Sequence, residues 1–453
     1  MSGLTEALSM AARAMQAQSF GLETVGQNMA NLNTPGYARR LAQFAEVPPG
    51  SGGGVRIVGA PAQRDALVEA RLRRELPMAG QQMATAEALS VVETTLGGIG
   101  SSLDANLTAF FDSWQALSQD PTSPVARDNV VQQGRLLGRA FNDISSRLQQ
   151  SQHEADLQVR ASVADINALT SSVTSLNGAI ARANGADAEA LKDQLGEQLD
   201  RLAELVNVTV LHNRDGSVDV TLASGRALVV GENQYQLGVG TAPVTGLATV
   251  TTSDGVDITA EITGGKVAGY LDVRDTHVPS YLAQLDQLAY DVSQQVNTLH
   301  QAGFDLAGGT GHAFFAPLGA VAGAASGIAL DAGVAGDPTL IAASQTGTVG
   351  DNQVADALAR LRDATGAAGG TATFAQAWSQ IVYHVGNDSA TAQADQASRE
   401  TIVSAVERLR DSVSGVSLDE EAAAMIKYQR AYEANAKFFA AVGDTLDTLL
   451  QIV

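Results

Sequence analysis

The chain of 453 residues contains no cysteine, which excludes disulfides, Cys-ligated zinc and a thiol nucleophile. Cations are scarce as well: 28 Lys and Arg stand against 49 Asp and Glu, for a net charge of −21. They form no run longer than a pair such as Arg39-Arg40 or Arg73-Arg74. Phosphate binding needs a basic face, so nucleic acid is not an expected partner. The opening Met-Ser-Gly-Leu-Thr-Glu-Ala has no basic segment and no apolar run, so no cleaved signal peptide is expected there. Between Leu306 and Leu330 there is no Asp, Glu, Lys or Arg, but six Gly and Pro317 interrupt a mostly Ala stretch. Too few bulky apolar residues are present for a membrane span, and a flexible connection is expected instead. No insertion into a membrane is expected elsewhere.

The signatures of catalysis are missing too. Gly264-Gly265-Lys266-Val267 lacks the hydroxyl of a phosphate-binding loop, and no Gly-x-Ser-x-Gly elbow occurs. His153-Glu154-Ala155-Asp156 begins like a zinc-protease helix and lacks its second His. The six His are scattered at 153, 212, 277, 300, 312 and 384. Asp419-Glu420-Glu421 reads as charge at a helix start rather than an acid–base cluster, and Trp114 and Trp378 read as core. No catalytic residue, metal or cofactor is expected, and an assembly role is the default.

What the chain does have is a heptad pattern at each end. Stepping alternately four and three from Leu4 gives Leu8, Ala11, Met15, Gln18, Leu22, Val25, Met29 and Leu32. The same steps from Leu418 give Ala422, Met425, Gln429, Tyr432, Ala436, Phe439, Gly443, Leu446, Leu450 and Val453. Two such seams predict that the terminal helices pair and that the rest is inserted between them. The first helix carries only Glu6, Arg13 and Glu23 as charges, so it should bury more than one face. Gly21 and Gly26 weaken it, as Gly443 weakens the last helix. Both are therefore expected to be largely disordered in a free monomer and to order on assembly. The first helix should stop at Asn31, with Pro35-Gly36 suited to a type II turn.

Between the ends, Pro48 to Gly54 reads as a loop and Val55–Ala60 as a short strand. Helix is expected from Ala62, with Leu103, Leu107, Phe110, Phe111, Trp114 and Leu117 on one apolar face. Asp120 to Pro124 breaks it. A long helix follows over Val125–Ala183, ended by Asn184-Gly185, and another over Asp187–Leu205. The period then changes to two: Val206–His212, Ser217–Leu222 and Ala227–Val230 read as strands, joined first by an Asp215-Gly216 hairpin signal. Strand-like pieces continue at Val250 and Ile258–Ile262. Helix returns over Val278–Gln301, Asp351–Arg362, Phe374–Val385 and Ala390–Val413, and a Ser417/Glu420 capping box starts the last helix. No period of 20–50 residues repeats. The expected fold is mainly α with an inserted β-rich domain. Its parts are a terminal coiled-coil unit (1–33 with 418–453), a helical bundle with short strands (34–205 with 351–417), and a β-rich outer insert (206–350) that includes one helix near 278–301.

Asn28-Met-Ala-Asn-Leu-Asn-Thr-Pro-Gly-Tyr-Ala-Arg39 looks like the N-terminal motif shared by rod, hook and hook-associated proteins of the bacterial flagellum. Further blocks are similar to the hook-associated proteins of the FlgK type. They are Asn207 to Val210 with Asp215 to Val218, Gly269 to Asp275 leading into Leu285 to Ala289, Val296-Asn297 with His300, and Gly415 to Ala422 with Tyr428 to Lys437. The resemblance implies a structural adaptor and not an enzyme, exported by the flagellar type III apparatus after a transient cytoplasmic stage. It implies an extracellular place at the hook–filament junction and a ring of copies. The implied partners are the hook protein, a second hook-associated junction protein, and a cytoplasmic export chaperone on the C-terminal region. The alternative, a hook or rod axial subunit, fits the helix-rich interior after residue 80 less well. The region before Asp351 is short for the family, so an outer domain of larger members is expected to be reduced or missing. Residues expected to carry assembly are Leu4, Leu8, Met15, Leu22, Met29, Asn31, Asn33, Pro35, Gly36 and Tyr37, with Leu418, Met425, Tyr432, Phe439, Leu446 and Leu450.

Overall fold

Two helices of more than fifty residues frame the molecule. In the computed structural model, which describes residues 2–48, 53–183 and 185–452, α2 spans Ala66–Gln119 and α3 spans Pro124–Arg182. The loop read at 48–54 and the helix stop at Asn184 lie partly outside the described residues. Asp65 caps α2 by accepting from the Leu67 and Val68 amides, and Ser123 caps α3 with Pro124 as its first residue. Before them stand α1, Ser2–Ala30, and an antiparallel hairpin of β1, Gln43–Glu46, with β2, Val55–Gly59. After them come α4, Gly185–Leu205, and a four-stranded antiparallel sheet: β3, Val208–His212; β4, Val218–Leu222; β5, Ala227–Val230; β6, Asn233–Gln234. A separate hairpin joins β7, Gly238–Thr241, to β8, Ala248–Thr251. Helices α5, Gly265–Asp272, α6, Val278–Ala302, α7, Ala324–Gly327, α8, Ala332–Gly336, and α9, Gln353–Arg360, follow. The chain ends with α10, Phe374–Ser414, and α11, Leu418–Ile452.

Each long helix serves two hydrophobic cores. The first takes the second half of α2, the first half of α3, and α6 to α10. At its centre Phe314 and Phe315 meet at 5.0 Å, with Phe110 at 5.5 Å from Phe314 and Trp114 at 5.3 Å. The second core takes the first half of α2, the second half of α3, α4, the strands and α5. The stretch 206–350, expected as one insert, therefore sends its side chains to both. The strands and α5 go to the second core, and α6 with the segment after it goes to the first.

On α3 a polar cluster lies between the residues of the two cores. Asp156 of α3 is buried, and its carboxylate accepts from the Ala248 amide at 2.7 Å, Arg274 at 2.7 Å and Arg160 at 3.0 Å. Burial pushes this carboxyl up, but those hydrogen bonds outweigh it and hold it below the usual carboxylate range. Arg274 lies in a five-residue π-helical turn, Val273–His277, and also donates to the Ala248 carbonyl at 2.7 Å.

Three expectations need correction. The segment Leu306 to Leu330 is no flexible connection, since Phe314, Phe315, Ala324, Ala325 and Ile328 are core residues. Side chains of α6 satisfy its backbone: Asn297 accepts from the Phe314 and Phe315 amides and donates to the Phe315 carbonyl, all at 2.9 Å. His300 contacts the His312 carbonyl through Nδ1 and accepts from the Ala342 amide through Nε2, which makes it neutral; burial lowers its pKa to about 4. The helices expected at Phe374–Val385 and Ala390–Val413 are one helix. Its weak formers at the join are held from outside, Asp388 by Tyr281 at 2.7 Å and Ser389 by Glu93 at 2.6 Å, so packing overrides propensity. Ile258–Ile262 is not a strand but a single 3-10 turn, with both Ile side chains in the second core.

Candidate assembly site: the terminal helix pair and its joint

Helices α1 and α11 pair with each other. Gly21 meets Tyr428 and Asn28 meets Glu421, so the two run antiparallel. The buried stripe of α1 is Ala11, Ala17, Gly21, Thr24, Val25 and Asn28. It is narrow because its residues are small. A Cβ on Gly21 would stand 2.6 Å from the Tyr428 ring, so this glycine is what admits the ring.

Of the expected heptad seam, Ala11 and Val25 lie in that stripe and the bulkier members flank it. Leu4, Leu8, Met15, Leu22 and Met29 are half-buried, as are Met425, Phe439 and Leu446. Leu418 and Tyr432 are 49% and 41% exposed. The side chain of Leu450 lies outside the described residues. Small residues let the helix axes approach, and the bulky ones are then displaced to the flanks. Asn31 and Tyr37 are half-buried, while Asn33, Pro35 and Gly36 are exposed.

The chain leaves α1 through the turn Thr34–Tyr37, closed by the Tyr37 amide on the Thr34 carbonyl at 3.2 Å, with Gly36 at φ +75°. Asn28 organises the residues after this turn. Its Oδ1 accepts from Tyr37 Oη at 2.8 Å and the Arg40 amide at 3.0 Å. Its Nδ2 donates to the Arg40 carbonyl at 2.9 Å and Glu421 Oε2 at 3.0 Å. All four bonds of the buried amide are made.

Two consecutive arginines then join the helix pair to the body in opposite senses. Arg39 gives its side chain to the pair, with Nε to Glu421 Oε1 at 2.7 Å and a contact to Glu420. Its backbone goes to the body: the amide donates to Ser414 at the end of α10 at 2.8 Å, and the carbonyl accepts from Gln63 at 2.7 Å. Arg40 does the reverse. Its backbone is held by Asn28, while its guanidinium stacks 5.2 Å from the Tyr37 ring and reaches Asp193 of α4 at 3.3 Å. Arg64 also binds Asp193. Burial raises the pKa of Asp193 against the pull of both arginines, and raises that of Tyr37 too. Among the described residues, the buried Arg40 Nε and Arg64 Nε have no hydrogen-bond partner. A cleft of about 890 Å³ opens beside the joint, lined by Pro35, Gly36, Arg64, Asp193, Arg410 and Glu420 among others.

Sequence reasoning passes over most of this joint. Asn28 and Arg39 lie in the flagellar motif, which marks them as a signature and not as a hub. Glu420 and Glu421 read as helix-start charges, whereas Glu421 is 1% exposed and both carboxylates meet Arg39. Asp193 gives no signal beyond being one acid among many. Among the described residues, no group of His, Asp and Glu is placed to hold a metal ion, and no helix is long and apolar enough to cross a membrane.

A family model for the helical domain of the flagellar hook-associated protein FlgK matches residues 89–315. The chain belongs to the FlgK family of flagellar hook-associated proteins. It is thus a structural component of the flagellum. Two further models describe the ends: the flagella basal body rod protein over residues 8–37, and the flagellar basal body rod FlgEFG protein C-terminal region over 410–452. Together these two cover most of the helix pair and, of its joint, Asn28, Tyr37, Ser414, Glu420 and Glu421. Flagellar hook-associated protein 1 of Escherichia coli K12 is 25% identical, with 99% of this chain and all of that protein covered. The Bacillus subtilis 168 protein of the same name is 27% identical over 98% of this chain and 97% of its own. The Escherichia coli alignment runs over 546 positions, more than this FlgK-family chain has residues, so that relative carries segments absent here. The solved flagellar hook junction protein FlgK of Burkholderia pseudomallei shares the fold. It has a TM-score of 0.68 and 16% identity, with 76% of this chain and 100% of that chain covered.

Proposed function

We propose that this chain is a non-enzymatic adaptor whose copies form a ring at the hook–filament junction. It joins hook protein on one side to a second hook-associated junction protein on the other. It leaves the cell through the flagellar type III apparatus, with a cytoplasmic chaperone on its C-terminal region beforehand. The observation that carries this reading is the uncovered side of α11. Ile426, Lys427, Arg430, Lys437 and Phe438 share one exposed face of that helix, with Ile426 half exposed at 50% and Phe438 at 48%. Among the described residues none of these three cations has an ion-pair partner. In a chain of net charge −21, a row of unpaired cations between apolar side chains suits another protein's surface better than water. The flanking Leu8, Met15, Leu22, Met29, Met425 and Phe439 are assigned to the same contacts, and the exposed Asn33, Pro35 and Gly36 to steering the chain away from α1. The unit 1–33 with 418–453 is the stacking part, and the two-core body is its rigid support.

Electron microscopy of a deletion strain tests the role. Hooks without filaments, restored by the wild-type gene, are expected, whereas normal filaments in the deletion strain refute the adaptor. Hydrogen exchange tests whether the helix pair orders only on assembly. In a verified monomer, residues 4–32 and 418–449 should exchange rapidly while Phe110, Phe141 and Leu285 stay protected. Strong protection of both ends would show a pair that is closed before assembly.

A further inference from the structure

We infer that a groove on the body, beside Pro77 of α2, receives α11 of a second copy of this chain. The inference rests on the ring proposed above and names the surface that meets the uncovered face of α11. The groove arises where the chain passes from β8 to α5. Ile258 and Ile262 enter the second core through a single 3-10 turn. Gly265 then lies tight against the end of α4, where a Cβ would stand 2.3 Å from the Leu205 backbone. A trough of about 1040 Å³ is left between α2, the 3-10 turn and α5. Its floor is apolar: Pro77, Ile262, Ala268 and Leu271 are buried along it, and Met78 is 43% exposed. Its rim is acidic, with Asp257, Asp272 and Asp275 against Arg74. Asp272 and Asp275 pair with His277 and Arg274, yet their side chains remain 41% and 44% exposed.

Helix α11 carries the complement. Its three cations, Lys427, Arg430 and Lys437, all fall between Ile426 and Phe438. Glu433 shares their face and leaves this section two charges positive, whereas Asp419 to Glu421 before it and Asp444 and Asp447 after it are acidic. Two turns of a helix about 10 Å wide fill roughly 850 Å³, so the trough takes a section of α11 and not its whole length. Ile426 and Phe438 suit the apolar floor, and the cations suit the rim, as for an amphipathic helix in a groove. Among the described residues none of α1 or α11 lines the trough, so within one copy it stays open to a neighbour. Joining α11 of one copy to the body of the next uses two different surfaces. Such a heterologous contact repeats from copy to copy and closes into a ring when the rotation allows. The free monomer needs no ordered ends for this: the trough belongs to the body, and α11 orders as it enters.

The chain has no cysteine, so introduced ones report without background. Two full-length copies are expressed together in the deletion strain, one with Ala434→Cys on the exposed face of α11 and one with Ala260→Cys at the trough, and the isolated flagella are oxidised. A mixed disulfide-linked dimer is expected from the two together and no dimer from either alone. One chain carrying both substitutions should give a ladder of linked copies. Flagella that hold both variants without the mixed dimer, or with Ala434→Cys linked to itself in its place, overturn the groove. A doubly substituted chain that closes on itself as a monomer overturns the second copy as occupant. Asp257→Lys on the Ala260→Cys copy should lower the mixed product roughly fivefold, since one attractive pair turns repulsive. An unchanged yield overturns the charge match. Should a Cys variant stay out of the flagellum, Ala441→Cys with Thr263→Cys poses the same question with the same outcomes. The adaptor reading is judged separately. Filaments on the deletion strain refute it, whereas filaments restored without the crosslink leave it standing and remove the groove.

Discussion

The body and the terminal helix pair hold themselves together by different means. The body buries Phe, Trp, Leu and Ile in two cores that continue across its helices. The pair closes over Ala, Gly, Thr and Asn, and leaves its large apolar residues half-covered or exposed. Burial stabilises by roughly 25 cal/mol per Å² of apolar surface, so the same length of helix contributes much less in the pair. The body is thus stable by itself, while the pair keeps its adhesive side chains for other molecules.

The sharpest break of this contrast is Phe314→Ala. It empties the aromatic centre of the first core and should cost about 3–5 kcal/mol, read as a lowered urea midpoint. The same truncation at Phe438 should leave the midpoint in place. Acid should also strike the body first. His300 is neutral in the fold with its pKa lowered to about 4, whereas the unfolded chain takes up that proton near pH 6.5. Stability is therefore full above pH 6.5 and declines as pH falls towards 4, by up to about 3 kcal/mol from this group. A urea series at pH 7, 6 and 5 should show the decline, and His300→Gln should flatten that part of it. Asp156 adds to the loss at lower pH, since its depressed carboxyl stabilises the fold only while ionised. A smaller effect is expected from Gly21→Val, which drives the Tyr428 ring away and should cost about 1–3 kcal/mol within the pair. Filament attachment should fall while the body's melting temperature holds. The smallest change in stability, within about 0.5 kcal/mol, belongs to Lys427→Glu with Arg430→Glu and Lys437→Glu. Its effect should appear only in attachment, and unchanged swarming would free the α11 face from the assembly assignment.

The contrast also explains what can be read from residues alone. Val278–Ala302 and Ala227–Val230 stand out because local period and turn residues agree with packing there. The ends of the chain announce paired helices, and the heptad count meets the buried stripe at Ala11 and Val25 but leaves out Ala17, Gly21, Thr24 and Asn28. Period reveals an apolar stripe; it does not reveal that small residues beside it form the closer contact. Phe314 and Phe315 are hidden in a Gly/Ala segment with no period, because what places them is Asn297 and His300 on another helix. The joint is least legible. Asn28 and Glu421 are polar residues that become buried only through each other and through Arg39, and no local pattern records such a meeting.

The antiparallel closing of α1 against α11 also sets an order in time. Asn28 and Glu421 stand 393 residues apart in sequence. The first helix to be made is complete long before its partner exists, and the loop between them is nearly the whole protein. A chain interrupted between α10 and α11 has every residue of the body's two cores but cannot close its ends or build the joint. The stacking surface therefore arises last, and only on finished molecules, so a truncated product has no complete pair with which to enter an assembly.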